Sequence, residues 1–285
     1  MSSPQEPPSK PPDTDADAKS HFHSHINTLV SLTSHLPLAY LLASPPCLAT
    51  YTTARTSLPP AILHHVIRTF IHALSYARTH ADHPSPFPSS STTPLSTFLH
   101  DPASLAQLYA ACILHDLGSV CNRSSQRFEI DGADAACDIL ATHTHTHAHD
   151  GGGSGSDDEP FATEAQRREV WLAIALHATP QVAERMGGLV GLVRAGVARD
   201  FAAFAVAHVE EGKEEEEEER EREREREKVE MEAVFPRLGI EKVLGHAVVG
   251  QAVERPGKAP RGTWSGALLE AWRREPGFEG VNPAF

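Results

Sequence analysis

The sequence predicts an all-α fold, a helical bundle with a metal site in its core, and two observations carry that expectation. The first is periodicity. In several apolar segments the apolar residues recur at spacings of three and four, as in a helix with one buried face. The second is that each such stripe also turns a histidine or an aspartate inward, where a polar side chain needs a partner. In LAQLYAACILHDLG, Leu105, Leu108, Ala111, Cys112 and His115 share one face, and the adjacent pair His115 and Asp116 ends the segment. On that pair alone, a hydrogen-bonded histidine beside an aspartate capping the helix end is an equal reading. The other segments favour a metal.

Residues 1 to 25 are polar and Pro-rich and read as a disordered tail, with HFHSH at 21 to 25 as simple sequence without function. Residues 26 to 285 read as one domain with low-complexity insertions at about 82–94, 141–160 and 210–232. Its first clear helix, residues 58 to 80, is opened by Pro59 and Pro60 and turns Ile62, His65, Val66, Thr69, Phe70, Ala73 and Tyr76 inward. A Pro/Ser-rich loop follows, and then the helix that ends on His115 and Asp116. The segment FEIDGADAACDIL predicts another helix. It is separated by the His-rich and Gly/Ser stretch at 141–160 from EVWLAIALHAT, which ends near His177. GLVGLVRAGVARDFAAFAVAHV, residues 188 to 209, reads as a helix whose apolar side is interrupted by Asp200. The Glu/Arg run at 210–232 predicts a solvated, partly formed helix.

Composition narrows the function. The 285 residues carry a formal charge of −13, but residues 210 to 232 hold fourteen acidic and six basic side chains, net −8, so the rest is nearly balanced. No basic face emerges, which argues against a nucleic-acid partner. Cys47, Cys112, Cys121 and Cys137 show no paired spacing and read as structural, reduced thiols. No stretch is apolar for the ~20 residues needed to span a bilayer, so a soluble, cytoplasmic protein without a membrane partner is expected.

The chain resembles the HD-domain metal-dependent hydrolases, whose pattern is a His, then a His-Asp pair, then a distant Asp on successive helices; His65, His115, Asp116 and Asp200 fit it. Within that superfamily it is most similar to the cyanamide hydratase-type proteins of fungi. The similarity rests on HVIRTF, LHDLG, FEIDGADAA, VWLAIALHAT, GVARDF, FPRLG and GTWSGALLEAW, in that order over about residues 36 to 285. One departure is the extra segment at 240 to 261, between FPRLG and GTWSG, which bears on the pocket wall and hence on substrate choice.

The resemblance implies an HD-type bundle in which His65, His115, Asp116 and Asp200 hold a divalent metal, Zn2+ first, with Fe2+ or Mn2+ also suited. It implies a hydro-lyase in which hydroxide on the metal attacks the nitrile carbon of cyanamide, or of a related small substrate, to give urea. Hydration leaves negative charge on nitrogen, and His177 and Glu129 are the candidates to move the proton. Arg68 is expected to brace a carboxylate ligand. Two other readings stay open: an HD-type phosphohydrolase acting on a nucleotide, and a non-catalytic HD fold with the Glu/Arg run as its handle. The first wants several cations near the metal, yet only Arg68 and Arg123 are expected there and Lys is absent between residues 20 and 212. The partner is a small-molecule substrate, and homo-oligomerisation is left open.

Overall fold

The computed structural model describes residues 14–33, 38–81, 93–145, 163–201 and 214–275, and every regular element among them is helical. In chain order these are α1 (Thr14–Leu32), α2 (Ala39–Leu42), α3 (Pro45–Ser57), α4 (Pro60–Thr79), α5 (Thr97–His100), α6 (Pro102–Leu114), α7 (Phe128–His145), α8 (Glu164–Leu176), α9 (Val182–Met186), α10 (Gly188–Asp200), α11 (Glu214–Val234), α12 (Ile240–Glu254) and α13 (Trp264–Arg274). Short 3-10 turns at Leu117–Ser119 and Pro256–Lys258 complete them.

Local chemistry starts several of these helices. Ser44 accepts from Cys47 N with Pro45 in the first turn of α3, Asp101 accepts from Ser104 N with Pro102 in the first turn of α6, and Thr263 accepts from Gly266 N at the start of α13. Thr163 and Gln166 form a reciprocal capping box on α8. Each satisfies amide groups that the first helical turn leaves without partners.

One large core holds the bundle, and α4 and α10 form its most extensive helix pair. Their approach requires Gly196, because a Cβ there would lie 2.3 Å from the Thr69 carbonyl oxygen. A second close contact joins LHDLG to FEIDGADAA. A Cβ on Gly118 would meet Phe128 O at 1.7 Å, and one on Gly132 would meet Gly118 N at 2.9 Å. The turn that follows Asp116 is thereby seated on α7.

Several boundaries differ from expectation. The expected tail of residues 1 to 25 becomes helical at Thr14, and Phe22 and His25 are buried with Ile26 and Leu29. Phe22, Ile26 and Leu29 lie at i, i+4 and i+7, so an apolar face starts inside the polar segment. The expected insertion at 141–160 is helical to His145, where α7 ends, and residues from 146 to 160 lie outside the described residues. Of the loop at 82–94 only residues 93 and 94 are described, and the helix expected over 188 to 209 is described to Phe201. The Glu/Arg run belongs to α11, whose C-terminal part docks through buried Met231 and through Glu227 paired with Arg78. The extra segment at 240–261 folds as α12 and a 3-10 turn. Among the described residues, no helix is long and apolar enough to cross a membrane.

Candidate metal centre

The site forms where helix ends meet. His115 is the C-cap of α6, with Asp116 directly after it; His177 is the C-cap of α8; Asp200 is the last residue of α10; His65 comes from the buried face of α4. Three helix C-termini carry partial negative charge into this region, which favours a cation there. His65, His115 and Asp116 form a fully buried group whose donor atoms all lie within 4.8 Å of one another.

Hydrogen bonding fixes the tautomers. His115 Nδ1 donates to the Cys112 carbonyl at 2.7 Å, and His177 Nδ1 donates to the Ile174 carbonyl at 2.6 Å. His65 Nδ1 donates to the Asp200 carboxylate at 2.6 Å. A carbonyl or carboxylate oxygen can only accept, so each neutral ring presents a lone pair at Nε2. Those nitrogens converge on Asp116: His65 Nε2 and His115 Nε2 each lie 3.5 Å from Oδ2, and His177 Nε2 lies 3.6 Å from Oδ1. His65 Nε2 and His115 Nε2 are 3.2 Å apart, and both Asp116 oxygens are buried without a hydrogen-bond partner. In these tautomers the three Nε2 lone pairs and the Asp116 carboxylate face one another. Burial lowers the His115 pKa, and burial followed by the neighbouring His115 lowers that of His177 to about 3, which outweighs the opposing pull of Asp116.

A cation resolves this arrangement. Tetrahedral bonds of about 2.0–2.2 Å to nitrogen and oxygen place donor atoms roughly 3.3–3.6 Å apart, and the three edges among His65, His115 and Asp116, at 3.2, 3.5 and 3.5 Å, match that scale. Three protein donors and one open corner is the pattern of catalytic rather than structural sites. His177 lines the same pocket, its Nε2 3.6 Å from Asp116 Oδ1.

Asp200, expected to be a fourth ligand, is placed differently. Arg68 grips both its oxygens, Nε to Oδ1 at 2.6 Å and Nη2 to Oδ2 at 2.8 Å, while His65 Nδ1 takes Oδ2 again. Its carboxylate therefore stands behind His65, orienting that ring in a carboxylate–histidine pair. Burial acts to raise the Asp200 carboxyl, but the hydrogen bonds from His65 and Arg68 outweigh it and hold the group far below the usual carboxylate range. Arg68 is itself buried, and its remaining donor atom reaches the Phe235 and Pro236 carbonyls. Arg237 donates to the Asp200 carbonyl at 2.7 Å. FPRLG thus secures Asp200 and Arg68 from outside, a role no spacing in the sequence announced.

Glu129 is buried at the start of α7, but its oxygens take Arg127 Nη2 at 2.6 Å and Nε at 3.3 Å, and it does not line the site pocket. Expected to move a proton, it is placed as the partner of Arg127. The Arg127 partner was missed, although it lies only two residues away. Arg123 is exposed and paired with Asp138, so it is no cation of the site either.

A small pocket opens from the group. Beside His65, His115, Asp116 and His177 its lining is Ala178, Val197, Phe201, Leu244 and Trp264. Counted over positions that a water's centre can occupy, its volume is about 10 Å3, room for about one water molecule. Phe201 rests on the His65 ring at 4.8 Å, and Phe128 sits edge-on to both His177 and Trp264 at 5.8 Å. Among the described residues, no lysine or arginine lines it. Compared with known protein families and with curated proteins, the chain matches none.

Proposed function

We propose that the protein is an HD-type, metal-dependent hydratase that adds water to the nitrile of cyanamide, or of a comparably small neutral nitrile, to give urea or the corresponding amide. The observation that carries this reading is the buried Asp116 carboxylate, unpartnered at both oxygens and faced by three imidazole lone pairs. His65, His115 and Asp116 would hold the cation, with Zn2+ the best match to nitrogen and oxygen donors and Fe2+ or Mn2+ also compatible. When bound, such an ion supplies Lewis acidity and brings the pKa of a water near 7.

The chain's own residues supply the rest. Asp200, held by Arg68, fixes the His65 ring and keeps its Nε2 facing inward. The apolar walls exclude bulk water and leave an uncharged molecule as the occupant with the least to lose by desolvation. Hydration forms one carbon–oxygen bond, moves a carbon–nitrogen π pair onto nitrogen, and transfers one proton from water to that nitrogen before tautomerisation to urea. His177 is the lining group outside the proposed ligands whose nitrogen can take and return that proton, since Nδ1 is committed to Ile174 and Nε2 is open.

A nucleotide phosphohydrolase fits less well. Phosphate recognition recruits several cationic donors, whereas here Arg68 serves Asp200, Arg127 serves Glu129 and Lys258 serves Asp131. The test is metal content of the purified protein together with a urea assay on cyanamide. One ion per chain and urea formation that chelation stops are expected. Equal rates without metal, or nucleotide hydrolysis with no urea, overturn the reading.

A further inference from the structure

We infer that Leu244 determines specificity: it is the wall that limits this pocket to uncharged substrates of cyanamide size. The inference rests on the hydratase reading and deepens it. Of the rest of the apolar lining, Ala178 follows His177 directly, Val197 and Phe201 flank Asp200 on or just after α10, with Phe201 against His65, and Trp264 packs edge-on to Phe128, the ring that abuts His177. Those walls cannot change without disturbing groups of the metal centre. Leu244 comes instead from α12, which contributes none of the ligating or proton-transfer groups, and it is 4% exposed.

The helix that presents it is rigidly seated. Gln251, about two turns further along α12, donates to the carbonyls of Gly118 at 3.0 Å and Ser119 at 2.5 Å, within the turn that follows Asp116. Just beyond α12, Lys258 is buried against Asp131 of α7, and Arg255 donates to the Asn122 and Ser124 carbonyls at 3.1 and 3.2 Å. These bonds fix the Leu244 side chain relative to His115 and Asp116, so its length becomes a limit on what fits. The space it bounds, about 10 Å3 of water-centre volume, is small enough that the length of one side chain decides what enters. One added methylene in a tight apolar pocket changes selection by roughly 10- to 200-fold.

The experiment compares cyanamide with dimethylcyanamide, which is equally neutral but longer by its two methyl groups. For wild type, Leu244→Ala and Leu244→Phe, kcat/KM for urea or dimethylurea formation is measured on metal-loaded protein, with metal per chain determined for each. Dissociation constants for both compounds come from the visible spectrum of the Co2+-loaded proteins. The dimethylcyanamide-to-cyanamide ratio is expected to rise at least ~10-fold in Leu244→Ala, in rate and in binding, and to fall below wild type in Leu244→Phe. Should Leu244→Ala fail to fold, the Leu244→Phe shift decides. A ratio unchanged in a variant that retains its metal overturns the inference while leaving the hydratase reading intact. A loaded protein that neither hydrates nor binds either compound sinks the hydratase reading, and the gate with it.

Discussion

At the scale of single residues, the two aspartates of the site do different work, and substitution separates them. Asp116 faces three lone pairs with nothing to neutralise it, so Asp116→Ala, like His115→Ala, removes a proposed ligand and is expected to abolish metal retention and activity together. Asp200→Asn keeps a side chain that still accepts from Arg68 or His65, and is expected to weaken metal affinity by about 10- to 100-fold without abolishing it. Metal titration of the three variants checks this; equal losses at 116 and 200 would return Asp200 to the ligand set. His177→Ala is expected to keep the metal and lower turnover by about 100-fold. Away from the site, His25 stacks on Tyr51 at 4.4 Å, meets the edge of Phe235 at 6.3 Å, and has a buried Nε2 without a partner. Burial pushes its pKa from 6.5 to about 3. The depressed folded-state value means that its contribution is complete above pH 6.5 and drains away as the pH falls from 6.5 toward 3, while the unfolded chain protonates first. The slope is up to about 1.4 kcal/mol per pH unit, so unfolding free energies of wild type and His25→Phe from urea titrations should diverge by about 2 kcal/mol between pH 6.5 and 5. Parallel pH profiles would show that His25 does not carry this load.

At the scale of elements, two glycines give opposite expectations. Gly196→Ala forces a Cβ to within 2.3 Å of the Thr69 carbonyl, which is backbone and cannot swing away, so α4 and α10 must separate. Overpacking of this kind costs about 1–3 kcal/mol, and because the pair carries His65 and Asp200, metal affinity should fall as well. Gly250, on α12, has nothing within 4 Å of the added carbon, so Gly250→Ala should stabilise by about 0.5–1 kcal/mol through helix propensity alone. Thermal midpoints of the two variants decide both. The elements themselves were legible where an apolar stripe ran unbroken, and His65, His115 and Asp116 came with them because they lie on or at the end of those stripes. The placement of Asp200 was not. Periodicity tells that a carboxylate turns inward, and the resemblance that Arg68 braces a carboxylate, but neither tells that His65 Nδ1 shares the Asp200 oxygens with Arg68. Glu129 illustrates the same gap, since its residue type suits proton transfer but does not tell that Arg127 holds both its oxygens. Gln251, Lys258 and Arg237 gave no signal at all, because their partners are 37 to 133 residues away in the chain. Phe22 did give one: its i+4 and i+7 relation to Ile26 and Leu29 was present in the sequence and extends the first helix into the expected tail.

At the scale of the whole molecule, the net charge is carried largely by the Glu/Arg run at 210–232, −8 of −13. Among the described side chains, the Glu/Arg helix docks through its C-terminal part. Met231 is buried there, while Arg222, Glu225 and Arg226 are exposed and the Arg78 to Glu227 pair is 42% exposed on both sides, a pair of the kind that contributes about 0–1 kcal/mol. Beyond the end of α7, residues 146 to 160 join two helices already held to each other by Trp171 Nε1 donating to Asp134 at 2.8 Å and by the shared core. Loop length costs only about 0.6 kcal/mol per doubling. Replacing residues 214 to 226 with a Gly/Ser linker of equal length, and deleting residues 146 to 157, should therefore leave helical content, metal per chain and cyanamide hydration unchanged, while solubility shifts with the lost charge. Circular dichroism, metal analysis and the urea assay on the doubly altered protein measure this directly. A folded variant that binds less metal would mean that the histidine-rich segment supplies or delivers ions to the centre, and that the site extends beyond the helix ends that meet at Asp116.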